Sequence, residues 1–284
     1  MQKIPSNLFA VNPFNPLLTT VSPNITSVEF EDNSKCVKIG SGAFCDLSKL
    51  TTLTLPNSIV SIEGGAFRDC YNLTTVTVGA NVKDVASTAF ECCYKLVEVF
   101  NKSKFLNITP SSKENGYVGY YAKNIYKSPA DSKLHYDENG CITYVDGQTI
   151  IFVTYAGNSS YVNIPNGVTE IGNYAFYYTQ IKTVNIPNSV KEIGCYAFYN
   201  TDLTYIKIPN SVNSIGSYVF RGCDFLTGIE FEDRYSWYHT TREEDWIAKT
   251  GGTYIVPYSY PDVNVSSFTD DRLYYYHYWY KLDD

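Results

Sequence analysis

The chain has 284 residues, 44% of them hydrophobic, which is enough for a sizeable buried core in a soluble fold. Only 18% are charged, 29 acidic against 22 basic, for a net charge of −7; this excludes nucleic acid and anionic membrane surfaces as partners, since both need clustered Lys and Arg. No apolar run approaches the roughly 20 residues of a membrane span, so membrane insertion is not expected.

Residues 1–24 are rich in Pro and Asn and are predicted to form an N-terminal arm or cap. Their opening, MQKIPSNLFAVNPFNPLL, shows no basic stretch followed by a clean apolar run, so either the protein is not exported by that route or an export signal has been trimmed from ahead of it. From Ile25 onward a short unit repeats. It is clearest in TVNIPNSVKEIGCYAF (183–198) and YIKIPNSVNSIGSYVF (205–220). Phe176, Phe198 and Phe220 recur every 22 residues, and Phe44, Phe67 and Phe90 every 23. A fixed period of this length is the signature of a solenoid.

The unit reads L-x-x-I-x-I-P-x-S-V-x-x-I-G-x-x-A-F-x-x-C. Its first part alternates apolar and polar, the period of a half-buried strand. P-N-S is a turn, with Pro fixing φ. V-x-x-I-G is a second short extended piece, and A-F-x-x-C fits a turn of helix that points its Ala, Phe and Cys inward. The repeat glycines Gly40, Gly172, Gly194 and Gly216 are assigned to the turn before that helix. One such unit cannot bury its own apolar face, so neighbours must stack.

Repeats occupy 25–100, where the first copy carries a looser turn, and 161–231. Between them, 101–160 reads as an island. It holds a candidate strand FLNIT (105–109), a candidate Ala- and Tyr-bearing helix GYVGYYAKNIY (116–126), and a hairpin in CITYVDGQTIIFVTY (141–155) turning at Asp146-Gly147. Residues 232–284 lose the pattern, carry Trp237, Trp246 and Trp279, and read as a C-terminal cap over the end of the stack.

Eight Cys could suggest a disulfide framework. However, Cys70, Cys93 and Cys223 share a repeat slot with Leu47, Thr179 and Thr201, and Cys36 shares one with Ile59 and Val82. These are packing slots, so free thiols acting as small apolar groups are expected. There is no C-x-x-C pair, and His135, His239 and His277 are scattered, so no metal site and no cofactor are predicted. Glu243-Glu244-Asp245 reads as a solvated charge run. No nucleophile, base and acid converge, and catalysis is not expected.

The units resemble the BspA-type leucine-rich repeats of bacterial and protozoan surface proteins over 25–100 and 161–231. The fold so implied is a leucine-rich repeat solenoid, α/β but β-rich, right-handed and curved, with a parallel sheet on its concave face. An internal island with a β-hairpin and a C-terminal cap complete it. The resemblance also implies an exported, cell-surface or secreted binding protein without enzymatic activity, adhering to host matrix, host cells or other microbial surfaces.

On the first strand of each unit the third and fifth positions point away from the core. One column reads Ser27, Thr52, Thr75, Glu98, Tyr161, Thr183, Tyr205, Gly228, and the next Glu29, Thr54, Thr77, Phe100, Asn163, Asn185, Lys207, Glu230. The Thr portion is accounted for by β-propensity. The candidate ligand-binding residues are Glu98, Phe100, Tyr161, Asn163, Thr183, Asn185, Tyr205, Lys207 and Glu230, since exposed aromatics among amides and a few charges suit a protein ligand. A glycan held on Trp237, Trp246 and Trp279 is the alternative, and a structural spacer or self-association module is a third. Tyr177, Tyr178, Tyr199 and Tyr218 flank the repeat Phe on the opposite side, either as packing between coils or as a second surface.

Overall fold

The computed structural model describes residues 2–4, 25–30, 36–232, 237–240, 243, 253–255 and 278–281. The strands in chain order are β1 (Gln2–Ile4), β2 (Cys36–Ile39), β3 (Thr52–Thr54), β4 (Ser61–Ile62), β5 (Thr75–Val78), β6 (Asp84–Val85), β7 (Glu98–Asn101) and β8 (Asn124–Tyr126). They continue with β9 (Leu134–Tyr136), β10 (Cys141–Asp146), β11 (Thr149–Tyr155), β12 (Tyr161–Asn163), β13 (Glu170–Ile171), β14 (Thr183–Asn185), β15 (Glu192–Ile193), β16 (Tyr205–Ile208), β17 (Ser214–Ile215), β18 (Gly228–Phe231), β19 (Trp237–Thr240), β20 (Thr253–Ile255) and β21 (Tyr278–Lys281). The chain forms a leucine-rich repeat β-solenoid and separates into two compact units, Met1–Ser132 and Lys133–Asp284, a division that falls inside the 101–160 stretch.

In the first unit, parallel sheets β1-β2-β4-β6 and β3-β5-β7-β8 enclose a core of repeat residues. Phe44, Phe67 and Phe90 stack through it at 5.2 and 5.0 Å. In the second unit, parallel sheet β12-β14-β16-β18 faces a longer sheet, β20-β19-β21-β17-β15-β13-β11-β10-β9. Phe152, Phe176, Phe198 and Phe220 stack there at 4.8, 5.1 and 5.6 Å. Each unit buries period-2 residues of the first strand, the Val/Ile of the second and the Phe of the corner, which is why its strands are so short and still hold.

The Asp146-Gly147 hairpin forms, with β10 antiparallel to β11 and Asp146 opposite Thr149. Its second strand then pairs parallel with β13, Phe152 beside Ile171, so the hairpin supplies the first rung of the second stack. Beyond the last repeat, β21 runs antiparallel along β17, and β19 and β20 follow it, burying Trp237, Trp279 and Tyr280.

The corner expected to be helical is not. Alternate residues there donate backbone N–H groups to the next coil: Gly42 to Gly64, Phe44 to Ala66 and Asp46 to Arg68 at 2.8–3.0 Å, and likewise Tyr196 to Ser217, Phe198 to Val219 and Asn200 to Arg221. A helix would spend those donors within its own turn. Here, left-handed residues redirect them along the stack and make a third ladder. The residue two after each repeat Phe has φ of 52–72° (Asp46, Asp69, Cys92, Tyr178, Asn200, Gly222). The residue two before is Gly42 and Gly65 in the first unit, but Tyr174, Tyr196 and Tyr218 in the second.

A tyrosine held left-handed is strained by its Cβ. The rings compensate by stacking face to face, Tyr174 on Tyr196 at 4.9 Å and Tyr196 on Tyr218 at 4.8 Å. Tyr196→Ala keeps the strain and loses the rings, whereas Tyr196→Gly loses the rings and the strain together. Urea unfolding should therefore show the Ala variant less stable than the Gly variant by about 1 kcal/mol. The opposite order would remove the strain argument.

Further corrections concern the weaker copies. Residues 116–126 hold a 3-10 turn (Asn115–Tyr117) and β8 in place of a helix, and FLNIT forms no strand although Ile108 is buried. Residues 25–30 likewise form no strand, and Phe30 packs edge-on against Phe44 at 6.4 Å. The repeat glycines Gly172, Gly194 and Gly216 do not have positive φ. What requires them is the closeness of the preceding coil: an added Cβ would lie 2.5 Å from Asn173 Oδ1 at Gly194 and 2.5 Å from the Cys195 nitrogen at Gly216. All eight Cys are free. The slot shared by Cys and Thr is also a weak-donor slot. Cys70, Cys93 and Cys223 thiols donate to the carbonyls of Phe44, Phe67 and Phe198 in the coil before, and Thr179 and Thr201 hydroxyls to those of Phe176 and Phe198 in their own coil.

Candidate functional site

In β12, β14 and β16 the expected alternation holds: Val162, Val184 and Ile206 are buried, and Tyr161, Asn163, Thr183, Asn185, Tyr205 and Lys207 are exposed, whereas β18 at the end of that sheet is half-buried throughout. Tyr161 lies opposite Thr183, Thr183 opposite Tyr205, and Tyr205 opposite Gly228. In the second column Asn163 lies opposite Asn185, and Lys207 opposite Glu230. Seven of the nine candidates thus share one sheet face.

These side chains hold one another. Tyr161 Oη donates to Asn163 Oδ1 at 2.7 Å, and Asn185 Nδ2 to the same oxygen at 3.2 Å. Tyr205 Oη donates to Glu230 Oε2 on the neighbouring strand, and that bond pushes the phenol pKa up. Lys207 Nζ lies 2.8 Å from Glu232 and 3.7 Å from Glu230. Its hydrogen bond to Glu232 raises the lysine pKa and lowers that of the carboxyl. Glu232 was not among the candidates. It also accepts from the Asn210 N–H at 3.1 Å, and continuing the strand parity from 228 and 230 to 232 would have placed it in the same row.

Glu98 and Phe100 are corrected. They occupy outward positions, but they are 0% and 3% exposed. The chain after β7 returns as β8, lays Tyr126 on Phe100 at 5.9 Å, and brings the Ser132 hydroxyl to Glu98 at 2.6 Å. Lys127 Nζ closes the same side on the Asn101 carbonyl at 3.1 Å. That end of the first sheet is therefore covered. Trp237 and Trp279 are 5% and 8% exposed, so their rings are not available to a sugar, and Trp246 lies outside the described residues.

Among the described residues no group of three or more His, Cys, Asp or Glu is placed to hold a metal, and no helix is long and apolar enough to cross a membrane.

The profile of the BspA type leucine rich repeat region matches six copies over residues 20–115 and 151–241. The chain belongs to the BspA-type leucine-rich repeat family. This BspA-type chain is similar to a leucine-rich repeat protein from Eubacterium ventriosum (20% identity, 72% of this chain and 60% of that one, TM-score 0.40). It is also similar to a leucine rich cell surface protein from Faecalibacterium prausnitzii (17% identity, 79% and 76%, TM-score 0.27) and to the pneumococcal vaccine antigen PcpA (18% identity, 73% and 56%, TM-score 0.36). None of the curated proteins matches it. The BspA-type chain thus spans about 60% of the Eubacterium protein's length.

Proposed function

We propose that this chain is a binding module of a cell-surface or secreted protein, performing no chemistry, and that the sheet β12-β14-β16-β18 is its contact face for an extracellular ligand of host matrix, host cells or other microbes. The family's association with bacterial and protozoan surfaces supports the compartment. The observation that carries the contact face is the contrast between β7 and the strands of this sheet. The outward positions of β7 are covered by the chain that follows them, while those of β12, β14 and β16 stay exposed and carry Tyr, Asn and Lys. Side chains cross-linked in rows lose little freedom on binding, so the face is preorganised.

The test is retention of the chain on plates coated with solubilised extracellular matrix. A Tyr205→Ala/Lys207→Ala double variant should bind about tenfold more weakly, the loss typical of a central contact residue, with an unchanged unfolding midpoint because both side chains are exposed. Equal retention of variant and parent would remove this face from consideration.

A further inference from the structure

We infer that the first unit carries a site for a stabilising disulfide between successive coils: Cys70 and Cys93, free in the structure, are placed to close on each other when the chain meets a small-molecule disulfide as oxidant. The two hold the same slot, three residues after the repeat Phe, in neighbouring coils. No other two of the eight Cys do: Cys45 is followed in its slot by Arg68, Cys92 is preceded by Asp69, and Cys195 lies between Asn173 and Ser217. The backbone beside the pair is fixed in register. Phe67 N–H donates to the Ala89 carbonyl at 2.8 Å and Asp69 N–H to that of Glu91 at 3.0 Å, and the Phe67 and Phe90 rings stack at 5.0 Å. Neighbours on such a ladder lie about 4.8 Å apart, inside the roughly 4.4–6.8 Å between Cα atoms that a disulfide spans.

The second unit shows how close this slot brings two γ atoms. There Thr201 and Cys223 hold it in neighbouring coils, and Thr201 Oγ1 lies 3.3 Å from Cys223 Sγ. The two slots are built alike. Cys223 Sγ donates to the Phe198 carbonyl at 2.9 Å and Cys93 Sγ to the Phe67 carbonyl at 3.2 Å, each leaning back onto the preceding coil. Cys93 thus leans toward the coil that bears Cys70. Burial, together with the Cys70 thiol beside it, pushes the Cys93 thiol well above its ordinary pKa. What must move is Cys70, whose thiol donates to the Phe44 carbonyl of the coil before at 3.3 Å. Rotation about its χ1 gives up that weak bond and turns the sulfur toward Cys93.

The chemistry is thiol–disulfide exchange in two stages. One protein thiol, as its thiolate, attacks a sulfur of the small disulfide, breaks its S–S bond and releases one small thiol. The second protein thiolate attacks the protein sulfur of that mixed disulfide and releases the other. The two protein sulfurs are oxidised, the small disulfide is reduced to two thiols, and the two protein protons leave with them. Both cysteines are fully buried, so the oxidant reaches them when the corner opens locally, and urea below the unfolding transition should speed closure. Such a bond persists outside the cell, the compartment proposed above, and is lost in a reducing cytosol.

The experiment incubates the whole chain with glutathione disulfide, with and without sub-denaturing urea, then alkylates, digests and maps it by mass spectrometry. The expected product is a peptide pair linked through Cys70 and Cys93, with the thermal midpoint raised by about 5 °C or more and restored by reductant. Cys70→Thr and Cys93→Thr install the residue that Thr179 and Thr201 place in the same slot, so both should fold and each should abolish link and shift. Thr201→Cys should in turn link to Cys223 under the same conditions. Should that variant fail to fold, the map of the parent chain still decides the question. Mixed disulfides with glutathione alone, a parent link of another pairing such as Cys45 with Cys70 or Cys92 with Cys93, a folded Thr201→Cys chain that does not link, or a Cys70–Cys93 link with an unchanged midpoint would overturn the inference.

Discussion

Phe198→Ala is expected to destabilise the second unit by about 3–5 kcal/mol, seen as a lower urea midpoint at an unchanged slope. Phe198 is fully buried and sandwiched between Phe176 at 5.1 Å and Phe220 at 5.6 Å, with interplanar angles of 9° and 4°. Both of its faces therefore lose a partner on truncation, unlike a residue at the rim of a core. The gap cannot close by a shift of its neighbours, because the backbone on either side is fixed by bonds between coils, Phe176 N–H to Ala197 and Phe198 N–H to Val219. Phe198→Leu fills most of the volume and should cost about 1–1.5 kcal/mol. A loss below about 1 kcal/mol for the Ala variant would mean that the ring column is not the spine of the unit.

Stability of the first unit should rise with pH between about 7 and 9, by up to about 1.4 kcal/mol per unit, and then cease to rise. The source is Lys95. Its ammonium is buried, donates to Asn72 Oδ1 at 2.6 Å, and burial, aided by the positive charge of Lys49, pushes its pKa down from 10.5 to about 7. Lys49, Asn72 and Lys95 hold the same place in successive coils, and Asn72 Nδ2 in turn donates to the Ser48 carbonyl at 2.7 Å. Between pH 7 and 10.5 the unfolded chain binds a proton at this lysine that the folded chain does not, so raising the pH favours the folded state; below about 7 both states are protonated and the full desolvation penalty is present. Above pH 9 the thiols act oppositely. Burial raises Cys45 to about 11 and also raises Cys92 and Cys93, so the unfolded state loses protons first and stability declines. Lys95→Met should flatten the rise between pH 7 and 9 in urea titrations. A slope that survives the substitution would assign it to another group.

The periodic part of the fold was legible because it is local. Phe176, Phe198 and Phe220 name the spine by recurring every 22 residues, and Val162, Val184 and Ile206 name the inner face by alternation. Asp146-Gly147 announced its hairpin by the same local logic, since two residues suffice to set that turn. Ala, Phe and Cys at the corner have a spacing that suits a helix; the left-handed residues that forbid one are Asp, Cys, Tyr and Asn more often than Gly, and carry no common sequence mark. The glycines of I-G suit a turn by local sequence, although their need arises from a neighbouring coil that the local sequence does not display.

The candidate site divides along the same line. Amino-acid order alone determined that Tyr161, Asn163, Thr183, Asn185, Tyr205 and Lys207 face away from the core, because side-chain direction on a strand follows from parity. Tertiary structure alone decided which outward positions remain open. It covered Glu98 and Phe100 with a segment lying some 30 residues further on, as the contacts of Tyr126 and Ser132 record. It buried Trp237 and Trp279, and it set one edge of the Tyr205 ring against Gly228. Direction is fixed by neighbours one bond away, whereas exposure depends on whatever distant, non-repeating chain settles on the surface, and no repeat pattern contains that information.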